Sequence, residues 1–270
     1  MKNEIKFESN SLSKRLKSML KVDFRRMFTM PLFYIMIGIS IVIPILILVM
    51  TTMMAGTETI DHVTGEPKVM EQMFTSVWQA IAIIPGQNDG MSLDITTMCN
   101  IDMMFFAVAV LVCLFVSDDF RSGYSKNLFT VRSNKVDYVI SKTLVGFVCG
   151  VAIILAYFVG AMLGGAIAKL SFELVGVSAM NVVMCMLSKF FLVAVFVPIF
   201  LVMSIVGKQK TWLSMILAFG VSMLLFMMIT SISPLNSTIM NVILSLAGGL
   251  SFSIGIGSIS NLILKKSSLV

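Results

Sequence analysis

The residues best suited to chemistry are concentrated in one short polar segment, residues 117–142. Adjacent carboxylates, Asp118 and Asp119, stand near its start, and apolar runs at 102–116 and 143–168 flank it. Its basic residues are Arg121, Lys126, Arg132, Lys135 and Lys142. Charges of this kind suit ion pairing with a partner, whereas the plainer alternative is a solvated turn. Two long apolar runs joined by a charged turn predict a membrane hairpin with its turn in water, so we expect the contacts of this segment to decide the function.

Motifs for catalysis are absent from the sequence. Gly207-Lys208 lacks the second glycine and the hydroxyl residue of a G-x-x-x-x-G-K-[ST] phosphate loop, and no H-E-x-x-H or G-x-S-x-G pattern occurs. The four cysteines fit neither metal-ligand spacing nor a compact disulfide framework, so we interpret them as apolar fillers. The centres of the apolar runs carry almost no ionisable residues, which ion-coupled carriers and proton pumps usually place there. We therefore expect no enzymatic activity, no metal and no cofactor held by this chain itself.

The composition indicates the class of protein. Hydrophobic residues make up 57% of the 270 residues and charged residues 13%, against roughly a quarter charged in a soluble domain. The formal net charge is +6, but the basic residues of a membrane protein mark its cytoplasmic side. The composition therefore predicts an integral membrane protein in contact with membrane lipid and argues against nucleic acid as a partner.

Six apolar runs predict an all-α protein with six transmembrane helices in a single domain covering residues 1–270. The runs are 31–52, 101–116, 138–168, 189–206, 211–232 and 238–264. If the connecting segments alternate between the two sides, 17 of the 20 Lys and Arg residues fall on one side. The positive-inside rule makes that side the cytoplasm, together with both termini. Glycines spaced by four in the third run predict close helix packing: Gly146, Gly150, Gly160 and Gly164.

Residues 11–28, before the first span, predict an amphipathic helix in the cytoplasmic interface. Leu16 belongs to its apolar side, and Asp23 interrupts that side. Its basic side contains Lys21, Arg25 and Arg26. These cations suit anionic lipid headgroups. Two interpretations remain open, a plain topology anchor and an arm that also contacts a cytoplasmic partner.

Residues 53–99, after the first span, carry one basic residue, Lys68, and six acidic ones, so we expect this segment outside the cell. Within it, residues 67–84 repeat apolar side chains at helical spacing, which predicts an amphipathic helix on the outer leaflet or over a cavity. Asp102 and Lys189 stand near the outer ends of the second and fourth spans. We expect Asp102 in the interface and Lys189 reaching towards the interface, with a direct ion pair between the two as the alternative.

The polar segment resembles the cytoplasmic loop of ABC transporter type-2 permeases, especially the small exporters of peptides and antibiotics. In that family an acidic residue ends the second span, a Gly-Thr pair and a hydrophobic stretch follow, and after a basic turn a Lys opens the third span. The matching residues here are, in order, Asp118 or Asp119, Gly123-Tyr124, Asn127-Leu128-Phe129, Arg132 with Lys135, and Ser141-Lys142. Asp stands for the usual Glu, and Tyr for the usual Thr. The basic arm, the six spans and the long outer loop also follow the order of that family.

The resemblance implies the transmembrane permease subunit of an ATP-driven exporter in the bacterial cell membrane. ATP and Mg²⁺ would bind to a separate ATP-binding cassette ATPase subunit, and a second permease chain, identical or a sister, would complete the pathway. Residues 117–137 would be the coupling loop seated on the ATPase. The implied coupling residues are Asp118, Asp119, Arg121, Gly123, Tyr124, Lys126, Arg132 and Lys142. The apolar spans suit a hydrophobic or amphipathic substrate, namely a peptide, bacteriocin, antibiotic or lipid.

Two other classes of protein remain open on the sequence alone. A non-transporting membrane scaffold or sensor would use the same polar segment to bind a cytoplasmic regulator. A passive channel would need a span lined with polar residues, and the sequence shows no such span.

Overall fold

Long helices form most of the structure, a computed structural model of the chain. The structure describes residues 12–60, 67–70, 72–84, 99–131, 135–174, 176–208 and 210–266. The α-helices of this part are α1 (Leu12–Thr29), α2 (Pro31–Met54), α3 (Met104–Arg121), α4 (Tyr124–Val131), α5 (Val136–Ile167), α6 (Ala179–Gly207), α7 (Thr211–Ile232) and α8 (Ile239–Lys266). Between α2 and α3 lie a hairpin of strands β1 (Glu58–Ile60) and β2 (Pro67–Val69) and the 3₁₀ helices Val77–Ala80 and Ile101–Met103.

Five helices of the described part are long and apolar enough to cross a membrane. They are α2, α5, α6, α8 and the continuous helix Ile101–Arg121, which contains α3. The prediction of a multi-pass helical membrane protein is confirmed. α7 has 22 residues at the bounds predicted for the fifth span, but it is not among these five helices. The count of six spans therefore stays a prediction.

The glycines of α5 determine how closely its neighbours pack. Gly160 and Gly164 face the backbone of α2, and a methyl group on Gly164 would stand 2.8 Å from Ile45 Cα. Gly150 faces the Val193 side chain of α6, where a methyl group would meet Val193 Cγ1 at 2.5 Å. Such close approach gives helices in lipid the van der Waals contact that holds them together. The predicted role of the glycines is confirmed, and α5 packs against α2, α6 and α3.

The predicted amphipathic helix over residues 67–84 is wrong. Pro67–Val69 is instead a strand, paired antiparallel with Glu58–Ile60. Farther along, the helical part among the described residues of this segment is Val77–Ala80, a single 3₁₀ turn with Ser76 at its N-cap. The apolar residues of this segment recur at helical spacing, but the described backbone does not form a regular α-helix.

Contacts with the loop after α5 explain this difference. The Val77 N–H donates to the Ser171 carbonyl at 3.2 Å, and the Val77 side chain is fully buried beside Gly165 of α5. Trp78 Nε1 donates to the Phe172 carbonyl at 3.0 Å. A backbone N–H that bonds to another segment is not available to a helix of its own segment. The segment packs onto the end of the bundle instead of lying on lipid as a helix.

Contacts between helix termini define two ends of the bundle. Lys135 Nζ donates to the Leu264 carbonyl at 2.5 Å, so the start of α5 and the end of α8 are neighbours. Ser117 Oγ lies 3.4 Å from Ser214 Oγ, so the end of α3 adjoins the start of α7. We call this end the basic end, because α1, α4 and most of the described Lys and Arg residues lie there. The β-hairpin and the start of α6 lie at the opposite end, the hairpin end.

Candidate functional site

α1 carries a buried carboxylate into the basic end of the bundle. Asp23 is fully buried, on the side of α1 that is otherwise apolar. Its Oδ2 accepts a hydrogen bond from Ser141 Oγ at 2.6 Å, and its Oδ1 lies 3.0 Å from Lys142 Nζ. Burial of an unpaired carboxylate is strongly unfavourable, so these two partners from α5 explain why Asp23 is tolerated. α1 is attached to the bundle through polar bonds as well as through its apolar side chains.

Asp119, near the end of α3, is the second buried carboxylate. Its Oδ1 lies 2.6 Å from Arg26 Nη1, and its Oδ2 lies 2.7 Å from Lys142 Nζ. Tyr138 Oη donates to Asp119 Oδ2 at 3.0 Å. Two carboxylates and two cations balance in charge, and Lys142 links α1 and α3 to α5. We call this group the basic-end cluster, and its members are Asp23, Arg26, Asp119, Tyr138, Ser141 and Lys142.

Aromatic rings line the basic-end cluster. Lys142 Nζ lies 3.7 Å from the centre of the Phe115 ring, and Arg26 Cζ lies 4.2 Å from the centre of the Tyr124 ring. Cations over ring faces are attracted by the ring quadrupole. Burial acts to lower the pKa of Arg26, but the charge of Asp119 and its hydrogen bond outweigh burial and raise that pKa above its ordinary value. Burial also raises the pKa of Tyr124, so the guanidinium stays charged and the phenol neutral.

α4 and the residues just before it form one exposed part of the basic end. Gly123 has a φ of 74°, a left-handed conformation that suits glycine, and it turns the chain from α3 into α4. Asp118 Oδ1 and Arg121 Nη2 form a pair at 3.4 Å, and the Arg121 side chain is 71% exposed. Lys126 is exposed on α4. Asp118, Arg121 and Lys126 are therefore accessible to a partner at this end.

The structure corrects the expected role of several coupling residues. Asp119 is buried in the basic-end cluster, so the expectation that it docks directly on a partner is wrong, and the coupling residue Lys142 is buried beside it. Tyr124 is half-buried beneath Arg26, so only part of its side chain is exposed to a partner. The physical reason is that α3 continues more than a turn past the predicted end of the second span, which places Asp119 inside the bundle. Arg132 lies outside the described residues.

α1 otherwise has the two sides expected of an interface helix. Leu16 is half-buried, while Lys21 and Arg25 are exposed. Arg26 is the exception, because its guanidinium reaches Asp119 instead of facing headgroups. The expectation that all three cations face lipid is therefore wrong for Arg26.

A further ion pair ties α1 to the start of α5. Arg15 Nε lies 3.3 Å from Asp137 Oδ2, and the Asp137 side chain is 2% exposed. α1 is thus held at two points along its length, near its start by Arg15 and near its end by the basic-end cluster.

The hairpin end contains a second, smaller ion-pair site. Lys189 Nζ lies 2.5 Å from Asp102 Oδ1 and donates to Ser233 Oγ at 3.2 Å. Both charged side chains are fully buried. Asn100 Oδ1 accepts a hydrogen bond from the Asp102 N–H at 2.9 Å and caps the 3₁₀ turn that carries it. We call Asp102, Lys189 and Ser233 the hairpin-end pair.

The hairpin-end pair decides between the two arrangements expected for Lys189. The ion pair with Asp102 is present, so the expectations that Asp102 lies in the interface and that Lys189 reaches towards it are wrong. α6 begins at Ala179, with Ser178 as its N-cap, and not at Lys189. Those ten additional residues place Lys189 inside the bundle, where a charge needs a partner.

Sequence reasoning missed three members of the basic-end cluster, namely Asp23, Tyr138 and Ser141. The sequence contained one indication of such a site in α1 and another in α5. A single carboxylate on the apolar side of a helix needs a cation nearby. Tyr138 and Lys142 are four residues apart, so they share one face of α5.

The arrangement of both sites balances charge between helices and so fixes their relative positions. Among the residues that the structure describes, no group of three or more His, Cys, Asp or Glu side chains is placed to hold a metal ion. All four cysteines are unpaired thiols.

No protein-family model, curated protein or solved structure matches this chain. The function must therefore be argued from its own residues.

Proposed function

We propose that this chain is the transmembrane permease subunit of an ATP-driven exporter of the type-2 ABC class. It moves a hydrophobic or amphipathic substrate, such as a peptide, bacteriocin, antibiotic or lipid, out of the cytoplasm or the inner leaflet of a bacterial cell membrane. A separate ATPase subunit binds ATP and Mg²⁺, and a second permease chain, identical or a sister, completes the pathway. The basic end faces the cytoplasm, as the positive-inside rule favours.

The observation that carries this proposal is the position of α4 beside the basic-end cluster. Tyr124 of α4 stacks on Arg26, which pairs with Asp119, which in turn pairs with Lys142. The Tyr124 ring joins α4 to α1 at 4.2 Å, and charged groups 2.6 and 2.7 Å apart join α1, α3 and α5. A force applied to α4 from outside the membrane would therefore move several helices together. Rigid-body movement of this kind is how domain motions are transmitted.

Exposed and buried charges have separate roles in this mechanism. Asp118, Arg121 and Lys126 contact the ATPase subunit, because their side chains are accessible. Asp119 and Lys142 transmit the movement, because they link helices inside the bundle. This division refines the resemblance, which by itself assigns Asp119 to docking together with Asp118, Arg121 and Lys126.

The test is a pull-down from native membranes in mild detergent. The variant Asp118→Lys/Arg121→Glu/Lys126→Glu reverses the accessible charges beside α4. The matched control, Lys208→Glu/Lys210→Glu, reverses two exposed charges of the turn between α6 and α7 at the same end. We expect an ATPase subunit to co-purify with the wild type and the control, and to be lost from the variant by at least tenfold at equal amounts of inserted protein.

Each other outcome has a distinct meaning. If an ATPase stays with the charge-reversed variant, the exporter proposal stands, but these three residues do not dock the ATPase. If no ATPase accompanies the wild type, the exporter is wrong and the membrane scaffold or sensor becomes the better explanation. A thermal unfolding curve of each purified variant checks that the chain is folded.

A further inference from the structure

A groove runs along the membrane-facing side of the bundle between α5, α6 and α8. Its volume is about 540 Å³. Its walls are mainly apolar and include Ile140, Leu144 and Phe147 of α5, Phe191 of α6, and Leu250 and Ile254 of α8. Several of these side chains are exposed, with Leu144 41% and Ile254 71% exposed. The groove is therefore apolar and open on one side.

Glycine and helix packing explain why the groove exists. α8 packs closely on α6, and Gly249 of α8 meets Ala194 Cβ and the Phe191 carbonyl, each 3.0 Å from where its own Cβ would stand. α8 makes much less contact with α5, and at Gly257 an added Cβ would meet only Val139 Cγ1, at 3.7 Å. The small residues of α8 thus leave an open space beside α5.

The α5 wall of the groove matches one leaflet of a bilayer in length. Its α5 wall extends from Val136 to Phe147, which is about 16 Å at the rise of an α-helix. Half of the hydrocarbon core is about 15 Å. An acyl chain of a single leaflet fits such a length.

The groove ends among polar and basic groups. Lys135 stands directly before its α5 wall, and Lys265 and Lys266 follow its α8 wall, both exposed. Asn261 lines the same end, and its Oδ1 is buried without a hydrogen-bond partner among the described residues. Lys135 Nζ is already bonded to the Leu264 carbonyl, so Lys265 and Lys266 supply the exposed ammonium groups. These two groups and an unsatisfied acceptor at the end of an acyl-chain groove suit a phosphate that carries a hydroxylated headgroup.

We propose that this groove binds one anionic glycerophospholipid of the cytoplasmic leaflet. The acyl chain lies against α5 and α8, the phosphate lies near Lys265 and Lys266, and a headgroup hydroxyl donates to Asn261 Oδ1. Basic pockets between membrane helices on the cytoplasmic side are known to bind anionic headgroups. The proposal uses the orientation of the basic end towards the cytoplasm but does not depend on export.

Charge favours lipid over a second copy of the chain in this groove. Two copies in one membrane share their orientation, so a symmetric contact along the groove would bring both sets of basic ends together. Like charges repel each other, whereas an anionic phosphate neutralises them. The apolar length of the groove and the positive charge at its end therefore select the same ligand.

The experiment is native mass spectrometry of the full chain, purified with whatever subunits accompany it and titrated with phosphatidylglycerol or phosphatidylcholine of identical acyl chains. The headgroup variant is Lys265→Gln/Lys266→Gln, with Lys208→Gln/Lys210→Gln as its control. The acyl-chain variant is Gly257→Leu, which fills the groove. Its control is Gly255→Leu on the same helix, where an added Cβ meets nothing within 4 Å.

We expect the wild type and both controls to bind one phosphatidylglycerol per chain, at least 25-fold more tightly than phosphatidylcholine. Each lysine accounts for about fivefold, which corresponds to about 1 kcal/mol per basic residue near an anionic lipid surface. The headgroup variant should lose this preference but keep weak binding of both lipids. Gly257→Leu should lose both lipids.

Three results would overturn the proposal. They are equal binding of the two lipids by the wild type, unchanged binding by Gly257→Leu, and dissociation of a dimer by Gly257→Leu with lipid binding retained. The last would show that a second copy occupies the groove. If Gly257→Leu is not folded, Leu144→Trp narrows the groove from α5 and gives the same test.

Discussion

The basic-end cluster and the hairpin-end pair are both buried charge groups, but they differ in how many partners each charge has. In the cluster, Lys142 contacts two carboxylates, and Asp119 contacts Arg26, Lys142 and the Tyr138 hydroxyl. In the hairpin-end pair, Asp102 has one cation and Lys189 has one carboxylate with the Ser233 hydroxyl.

The two sites also differ in what they connect. The cluster joins α1, which lies outside the predicted spans, to α3 and α5, and the Arg26 side chain remains 28% exposed. The hairpin-end pair joins the start of the helix Ile101–Arg121 to α6, with both side chains fully buried. The comparison teaches that shared partners make a charge cluster tolerant of a single loss, whereas an isolated pair is not. The cluster therefore holds three helices together through several shared contacts, whereas the hairpin-end pair depends on one.

The largest effect is expected at the hairpin-end pair. Lys189→Met leaves Asp102 as a buried charge without a cation, which should lower the free energy of unfolding by about 3–5 kcal/mol. Thermal unfolding in detergent measures this loss. The double variant Asp102→Leu/Lys189→Met removes both charges and should recover to within about 2 kcal/mol of the wild type. Additive effects of the two single changes would show that the pair is not coupled.

A smaller effect is expected from Asp23→Ala in the basic-end cluster. Lys142 keeps Asp119 as its partner, so the loss should be about 2 kcal/mol, mainly the charged hydrogen bonds to Ser141 and Lys142. α1 should also detach more easily, which increases the labelling rate of a cysteine introduced at the buried Met27. Asp118→Ala is the matched control: its carboxylate is partly exposed and lies 3.9 Å from Arg26 Nη2, so its loss should cost less than about 1 kcal/mol and change the labelling rate much less than Asp23→Ala does. A loss as large as that of Lys189→Met would contradict the tolerance argued for the cluster.

Arg26→Lys separates charge from ring stacking within the cluster. Lysine keeps the charge opposite Asp119 but lacks the planar group that lies 4.2 Å from the Tyr124 ring. We expect a loss of about 1 kcal/mol in unfolding free energy. Tyr124→Leu should cost a similar amount in the wild type and almost nothing more in the Arg26→Lys background. Independent losses from the two changes would place the stabilisation elsewhere than in this contact.

The smallest effect on stability is expected from Arg121→Gln. Its side chain is largely exposed and its pair with Asp118 is a surface pair, so the change should stay within about 0.5 kcal/mol. If α4 docks an ATPase subunit, this variant should nevertheless weaken ATPase capture measurably in the pull-down. A loss of stability comparable to that of Asp23→Ala would show that Arg121 belongs to the structural cluster rather than to the exposed surface.

The sequence by itself determined the membrane class, most helix positions and the glycine contacts of α5. A backbone in hydrocarbon must satisfy its hydrogen bonds within each segment, so a long apolar run has few alternatives to a helix. Glycines spaced by four allow close approach whichever helix is the neighbour. Apolar residues such as Leu16 on one side of residues 11–28 and cations on the other similarly predict the amphipathic helix α1.

Only the tertiary structure decided which charges are buried and which are exposed. Asp118 and Asp119 are neighbours in sequence, yet one is accessible and the other lies between Arg26 and Lys142. Residues 67–84 have helical spacing, but their backbone bonds to other segments favour a hairpin and one 3₁₀ turn. Lys189 is buried because α6 starts ten residues earlier than its apolar run suggests. Each of these outcomes depends on contacts between residues far apart in the chain, and local composition does not specify which of those residues meet.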